Sequence, residues 1–133
     1  MSFWKNKLAE KERDGVVPIN LNFSAQTSSK QTQDSIMDKL EKISRKVLGA
    51  QAGKRNAVFV DDINMPLVET YGAQPPIEFL RLLVDRNGLF ERSEWEWKTV
   101  RDTTLICCAA PPLGGRSPWC PRFSTNFNMF CLP

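Results

Sequence analysis

The chain has 133 residues, 41 % hydrophobic and 25 % charged, with a formal net charge of +3 and no histidine. A complete domain of this length buries roughly 65 to 70 % of its unfolded surface, and the composition excludes disordered and fibrous classes. No apolar run approaches the ~18 residues of a membrane span, and the charged start MSFWKNKLAEKERDG lacks the apolar core of a signal peptide, which predicts an intracellular chain.

The charge is uneven. Residues 1 to 56 carry 11 basic and 6 acidic side chains, and residues 57 to 133 carry 7 and 9. The basic half interleaves its charges with acids, so a solvated face is favoured over a nucleic-acid surface. Cysteines at 107, 108, 120 and 131 form no C-x-x-C pair. With neither that spacing nor a histidine they carry no zinc-site signature, and the lack of histidine excludes Ser-His and Cys-His nucleophile schemes.

In chain order, residues 2 to 14 read as a charged helix ended by Asp14-Gly15, with Phe3, Trp4 and Leu8 on its apolar side. From Val17 to Phe23 the pattern alternates, predicting a strand whose first residues include Pro18. Ser28 and Gln31 have capping-box spacing. Ile36, Leu40, Ile43 and Val47 then recur at helical spacing, predicting an amphipathic helix from about 29 to 48, stopped by Gly49. Residues 57 to 60 form a short apolar strand suited to a sheet buried on both faces.

Pro75-Pro76 opens a helix with Ile77, Leu80 and Val84 as its stripe, widened by Phe79 and Leu83 and closed by Asn87-Gly88. Leu89 to Val100 reads as a hairpin with one dry face, and Thr103 to Ala109 as another apolar strand. A Gly/Pro-rich loop and an aromatic tail follow. The alternation of helix and strand predicts the α/β class with parallel strands.

Asp61 and Asp62 follow the apolar run at its carboxyl end, where open α/β sheets hold ligands. This is the arrangement in which one carboxylate holds magnesium and the next orients an attacking water. Two aspartates that simply start and cap a turn would look the same. GAQAGKR at 49 to 55 is not a phosphate loop: only three residues separate its glycines, and Arg55 stands where a hydroxyl is required. It reads as a turn.

The stretches INLNFSAQTSSKQTQD, GKRNAVFVDDINMPLVETYGAQPPIEFLR and PPLGGRSPWCPRF, in this order from Val16 to Phe130, resemble the third AAA+ module of an axonemal-type dynein heavy chain. The resemblance implies a partial AAA+, P-loop NTPase-like three-layer fold. Its parallel strands would be about 17–23, 57–61 and 103–109, and the first and last strands and the lid would be lacking. It divides the chain into residues 1–15 (tail of the helix after the phosphate loop), 16–110 (core) and 111–133 (loop and arginine-finger region).

By the same resemblance Asp61 matches the magnesium-holding aspartate, and Asp62 stands where active relatives place a glutamate that orients water. Asn64, in the polar turn after the acids, would help shape the site as a cofactor-binding residue, and Arg122 matches the arginine finger that completes a neighbouring module. The family continues past that finger with an arginine and a histidine, where this chain has Thr125 and Asn126. Ala109 and Ala110 stand where a polar sensor is common.

The implied cofactor is ATP or ADP with magnesium in a complete module, with a phosphate loop lying before Met1, so that the isolated chain is expected to bind nucleotide poorly and not to hydrolyse it. The implied partners are other AAA+ modules of a dynein ring, and the dynein complex and microtubules through the complete heavy chain, with no nucleic acid and no membrane. The implied location is the cytoskeleton of the ciliary axoneme. The other reading is an interaction module docking through a bare sheet edge and the apolar tail from Trp119 to Leu132.

Overall fold

A computed structural model describes residues 3, 6–7, 15–70, 73–113, 117–118 and 121–132. The helix expected over residues 2 to 14 lies outside the described residues except for Phe3, Asn6 and Lys7. So do Tyr71 and Gly72, residues 114 to 116, and Trp119 with Cys120 in the tail.

A three-stranded sheet is built from β1 (Val16–Asn22), β4 (Arg55–Asp61) and β7 (Thr103–Cys107), in the order β1-β4-β7 and parallel throughout. β4 lies in the centre, and its residues Asn56 to Val60 are buried in unbroken succession. A strand buried on both faces has no use for alternation, which is why it reads as an apolar run. At β1 the alternation survives. Ile19 and Leu21 turn inward, while Asn20 and Asn22 stay exposed.

Phe23 N–H bonds the Asp61 carbonyl at 3.0 Å, and Arg55 N–H bonds the Gly15 carbonyl at 2.7 Å. This ladder aims the main-chain groups of odd-numbered β1 residues at β4 and of even-numbered ones away from it. Pro18, which has no N–H to give, therefore sits on the free edge, where none is needed.

Register places Ile19 and Leu105 beside Val58, and Leu21 and Cys107 beside Val60. These side chains share one face of the sheet and join the main apolar core. Both crossovers, β1 to β4 and β4 to β7, step in the same direction across the sheet. Right-handed connections place their helices on one face. Helix α1 (Ser29–Met37) and helix α2 (Pro75–Arg86) do pack on each other, with Ile36, Ile77, Leu80 and Leu83 buried in the same core. Full burial of an aliphatic side chain of this kind contributes roughly 1.5–3 kcal/mol.

The capping box forms as the spacing predicts. Gln31 N–H donates to Ser28 Oγ at 3.1 Å, and Ser28 N–H donates to Gln31 Oε1 at 3.1 Å. Helix α2 begins at Pro75 and ends on Asn87, which takes the left-handed conformation at φ 50°.

The helix expected from 29 to 48 stops at Met37. Residues beyond it form a hairpin of β2 (Glu41–Ser44) and β3 (Val47–Gly49). Its reason is tertiary. β3 runs parallel to β6 (Glu96–Val100), Thr99 N–H bonds the Lys46 carbonyl at 2.8 Å, and Arg101 N–H bonds the Leu48 carbonyl at 2.9 Å. Extended chain lets Leu48 enter the core, where it is 9 % exposed, and leaves Ile43, one of the presumed helical stripe, 48 % exposed. Gly49, the expected helix stop, lies inside β3. A Cβ there would stand 2.9 Å from the Arg101 carbonyl oxygen.

β5 (Gly88–Glu91) and β6 make the predicted hairpin and complete a second sheet in the order β2-β3-β6-β5. Its inward face carries Leu89, Lys98 and Val100, so the dry side includes a lysine; Trp95 sits in the turn, 80 % exposed. Of GAQAGKR, residues 50 to 54 form the turn, between Gly49 of β3 and Arg55 of β4, with Lys54 N–H bonded to the Gln51 carbonyl at 2.9 Å. β7 ends at Cys107, two residues before the expected limit. Helix α3 (Pro121–Ser124) is short and holds to α2 through buried Phe123, which packs on Phe127 with ring centroids 4.7 Å apart. Among the described residues no helix is long and apolar enough to cross a membrane.

Candidate functional site

Asp61 closes β4 at its carboxyl end, beside Asn22 of β1, and Asp62 begins the turn beyond it. Both side chains are half-buried. Asp62 has φ 54°, a left-handed conformation that costs an ordinary residue of order 1–3 kcal/mol and persists only where surroundings enforce it. The enforcing bonds are present. Ile63 N–H reaches the Cys108 carbonyl at 3.1 Å, and Met65 N–H returns to the Asp62 carbonyl at 3.0 Å. Cys108 N–H still bonds the Val60 carbonyl at 2.9 Å, so the ladder between β4 and β7 runs to its end where Asp62 turns away.

Asn64 is fully buried, and its Nδ2 donates to the carbonyls of Ala110 at 2.8 Å and Ser117 at 3.1 Å. Among the described residues its buried Oδ1 has no hydrogen-bond partner. An orphaned acceptor of this kind costs about 1–3 kcal/mol. Asn64 thus faces the interior and the loop after β7.

Gln74 braces the far end of the turn by donating from Nε2 to the Pro66 carbonyl at 2.7 Å. Nothing in the sequence separates Gln74 from an ordinary helix-leading polar residue, whereas its 5 % exposure marks it at once.

Arg122 lies on α3, exposed to solvent. The Arg122 main-chain carbonyl accepts the Thr125 hydroxyl at 3.0 Å and the Asn126 amide at 3.3 Å. Thr125 and Asn126 thereby finish a short helix.

As a donor set, two adjacent carboxylates at a sheet rim suit a hard cation that keeps several waters and takes its other ligands from phosphate. Among the described residues no group of three or more His, Cys, Asp or Glu side chains could hold a metal by itself. The arrangement fits magnesium carried in with a nucleotide and does not fit a stand-alone metal centre. A groove of about 610 Å3 runs along the free edge of β1 beside α1, and neither Asp61 nor Asp62 lines it.

The sequence profile of a family described as the P-loop containing dynein motor region matches residues 2–133. The chain is similar to human dynein axonemal heavy chain 6, with 51 % identity over 128 residues, covering 96 % of this chain and 3 % of that protein. It is 41 % identical over 126 residues to the dynein-1-alpha heavy chain of the flagellar inner arm I1 complex of Chlamydomonas reinhardtii, covering 94 % of this chain and 3 % of that one. With human dynein axonemal heavy chain 3 the identity is 40 % over 127 residues, again 96 % and 3 %. The chain therefore spans about 3 % of the length of these relatives.

Proposed function

Because this chain belongs to the family of P-loop containing dynein motor regions, we propose that it is the middle of one AAA+ module, the third, of an axonemal-type heavy chain. Its part in the complete module is to supply the acidic side of a nucleotide site. Asp61 holds the magnesium of ATP or ADP, Asp62 orients the attacking water, and Arg122 faces the nucleotide of the adjoining module. A bound magnesium ion would neutralise charge on the phosphates.

The observation that carries this reading is the place of the two carboxylates, at the carboxyl rim of the central parallel strand, where such sheets receive ligands. Phosphate affinity in such sites comes from main-chain N–H groups and a loop lysine. Residues 1 to 133 contain no stretch of that spacing, so the isolated chain retains little nucleotide and does not hydrolyse it. Its partners are the neighbouring modules of the ring. The dynein complex, microtubules and the axoneme are reached through the whole heavy chain, and neither nucleic acid nor membrane is involved.

Equilibrium dialysis of the chain against Mg-ATP should show no micromolar retention; such binding would overturn the division of labour. In a complete heavy chain carrying this segment, Asp61→Ala should weaken magnesium-nucleotide binding, and Arg122→Ala should slow the adjoining module. Wild-type affinity and turnover in both variants would reject the assigned roles.

A second reading, docking on a partner by a chain acting alone, draws on two features. Among the described residues β7 pairs on one side only, and Met129, Phe130 and Leu132 are 61 %, 87 % and 79 % exposed. A bare parallel edge is a template for added strands. This reading requires a soluble, specific complex when the chain is expressed alone, and its absence would dismiss it, whereas a monomer with one sharp melting transition would count against the fragment reading.

A further inference from the structure

One side chain joins the acid turn to both ends of the loop that leaves β7. Asn64 gives one Nδ2 hydrogen to the Ala110 carbonyl at 2.8 Å and the other to the Ser117 carbonyl at 3.1 Å, and its own carbonyl accepts the Ser117 N–H at 2.9 Å. Two carbonyl acceptors fix the orientation of the amide, since a flipped group would set oxygen against oxygen. Its buried Oδ1 meanwhile has no partner among the described residues. An amide that leaves its acceptor unsatisfied and commits both donors is placed there for the donors.

The location gives those bonds a consequence. Asp62, two residues earlier, leaves the β-ladder at φ 54°, so β4 alone does not set its direction. The turn is attached to the chain leaving β7 at Cys108, through Ile63 N–H, and at Ala110, through Asn64. It is attached to the returning chain at Ser117. Removing Asn64's donors takes away two of these ties at once.

We propose that Asn64 is a positioning residue for the acid pair: it sets the direction of Asp61 and Asp62 through the base of the loop at Ala110 and Ser117, and it does not touch nucleotide. Being fully buried, it has no surface to offer a ligand. The functional half of this inference rests on Asp61 and Asp62 being magnesium ligands.

The test uses the 133-residue chain with Asn64→Leu and Asn64→Asp, both close in shape and both without the two donors. Gln33→Leu is the control. Gln33 is likewise a buried amide, donating to the Phe90 carbonyl at 2.6 Å, but on α1. Amide exchange should quicken roughly tenfold or more at Ile63, Met65 and Ser117 in either Asn64 variant, with Leu21 and Val58 unchanged. In a complete heavy chain carrying this segment, affinity for magnesium-ATP should fall about fivefold or more in Asn64→Leu and stay level in Gln33→Leu.

Faster exchange confined to Ser117 overturns the proposal. So does an equal loss of magnesium-ATP affinity in the control, or failure of both Asn64 variants to fold. If Asp61→Ala in the complete heavy chain leaves magnesium-ATP affinity unaltered, it is the magnesium reading that fails, and the exchange at Ile63 and Met65 still decides whether Asn64 positions the turn.

Discussion

Lys98 Nζ donates a 2.7 Å hydrogen bond to the carbonyl of Arg45, 53 residues earlier in the chain. The bond joins the two hairpins of the second sheet at the turn between β2 and β3. The ammonium is buried at 1 % exposure and is also 3.1 Å from Glu91, 3.1 Å from Glu94 and 3.8 Å from Glu96. A buried lysine is tolerated only when paired and hydrogen-bonded, and here both conditions are met.

Lys98→Met should lower the melting midpoint by several degrees near neutral pH, because it removes the cation that Glu91, Glu94 and Glu96 share and takes the donor from the Arg45 carbonyl. The Lys98 hydrogen bond holds Glu94 below its ordinary 4.5, and the Glu94 hydrogen bond holds Lys98 above its ordinary 10.5. A depressed acid stabilises above its unfolded pKa and loses that as pH falls through the folded value. A raised base stabilises below its unfolded pKa and loses that as pH climbs through the folded value. The difference between wild type and variant should therefore be flat between these two limits and shrink beyond each, as melts across the pH range will show.

The reciprocal bonds of Ser28 and Gln31 satisfy two N–H groups at the start of α1. Ser28→Ala should destabilise the chain by about 1 kcal/mol. Urea denaturation of the single variants and of the double variant with Gln31→Ala should show coupling, since each partner's bond depends on the other's backbone. Strict additivity would mean that the box is not formed in solution.

Gly88 lies beneath Trp97, and an added Cβ would come within 2.4 Å of the indole Cζ2 and 2.7 Å of the Lys98 carbonyl. The indole cannot simply swing aside, because it meets Phe90 edge-on with centroids 5.0 Å apart. Gly88→Ala should cost about 1–3 kcal/mol, and the near-ultraviolet tryptophan signal should change with it. Gly53→Ala meets no atom within 4 Å, but its φ of +76° still charges an alanine for a left-handed backbone.

Burial pushes the Cys107 thiol up to about 12, with Cys108 adding to the effect. The thiolate needed for alkylation is therefore absent at ordinary pH. Iodoacetamide at mildly alkaline pH should label exposed Cys131 rapidly and leave Cys107 unmodified until denaturant is added, as peptide mass mapping will show.

The parallel sheet was legible because its signals are local. An unbroken apolar run marks β4, alternation marks β1, and a double proline with Asn87-Gly88 brackets α2. The place of Asp61 at the strand's end followed from the same run. Asn64 was legible only as a polar residue in a turn. Its burial depends on Ala110 and Ser117, 46 and 53 residues away, and no spacing in the sequence encodes that meeting.

By itself the sequence determined which segments can pair, where helices start, and that two carboxylates leave the central strand together, since propensity, capping and apolar period act over a few residues. Only the tertiary structure decided the course of residues 38 to 49. Ile36, Leu40, Ile43 and Val47 satisfy a helical period, yet pairing of β3 with β6 and the Lys98 bond to Arg45 draw that segment into a hairpin. Helical preference differs among ordinary residues by at most about 0.7 kcal/mol each, so a buried ladder and a buried lysine outweigh it.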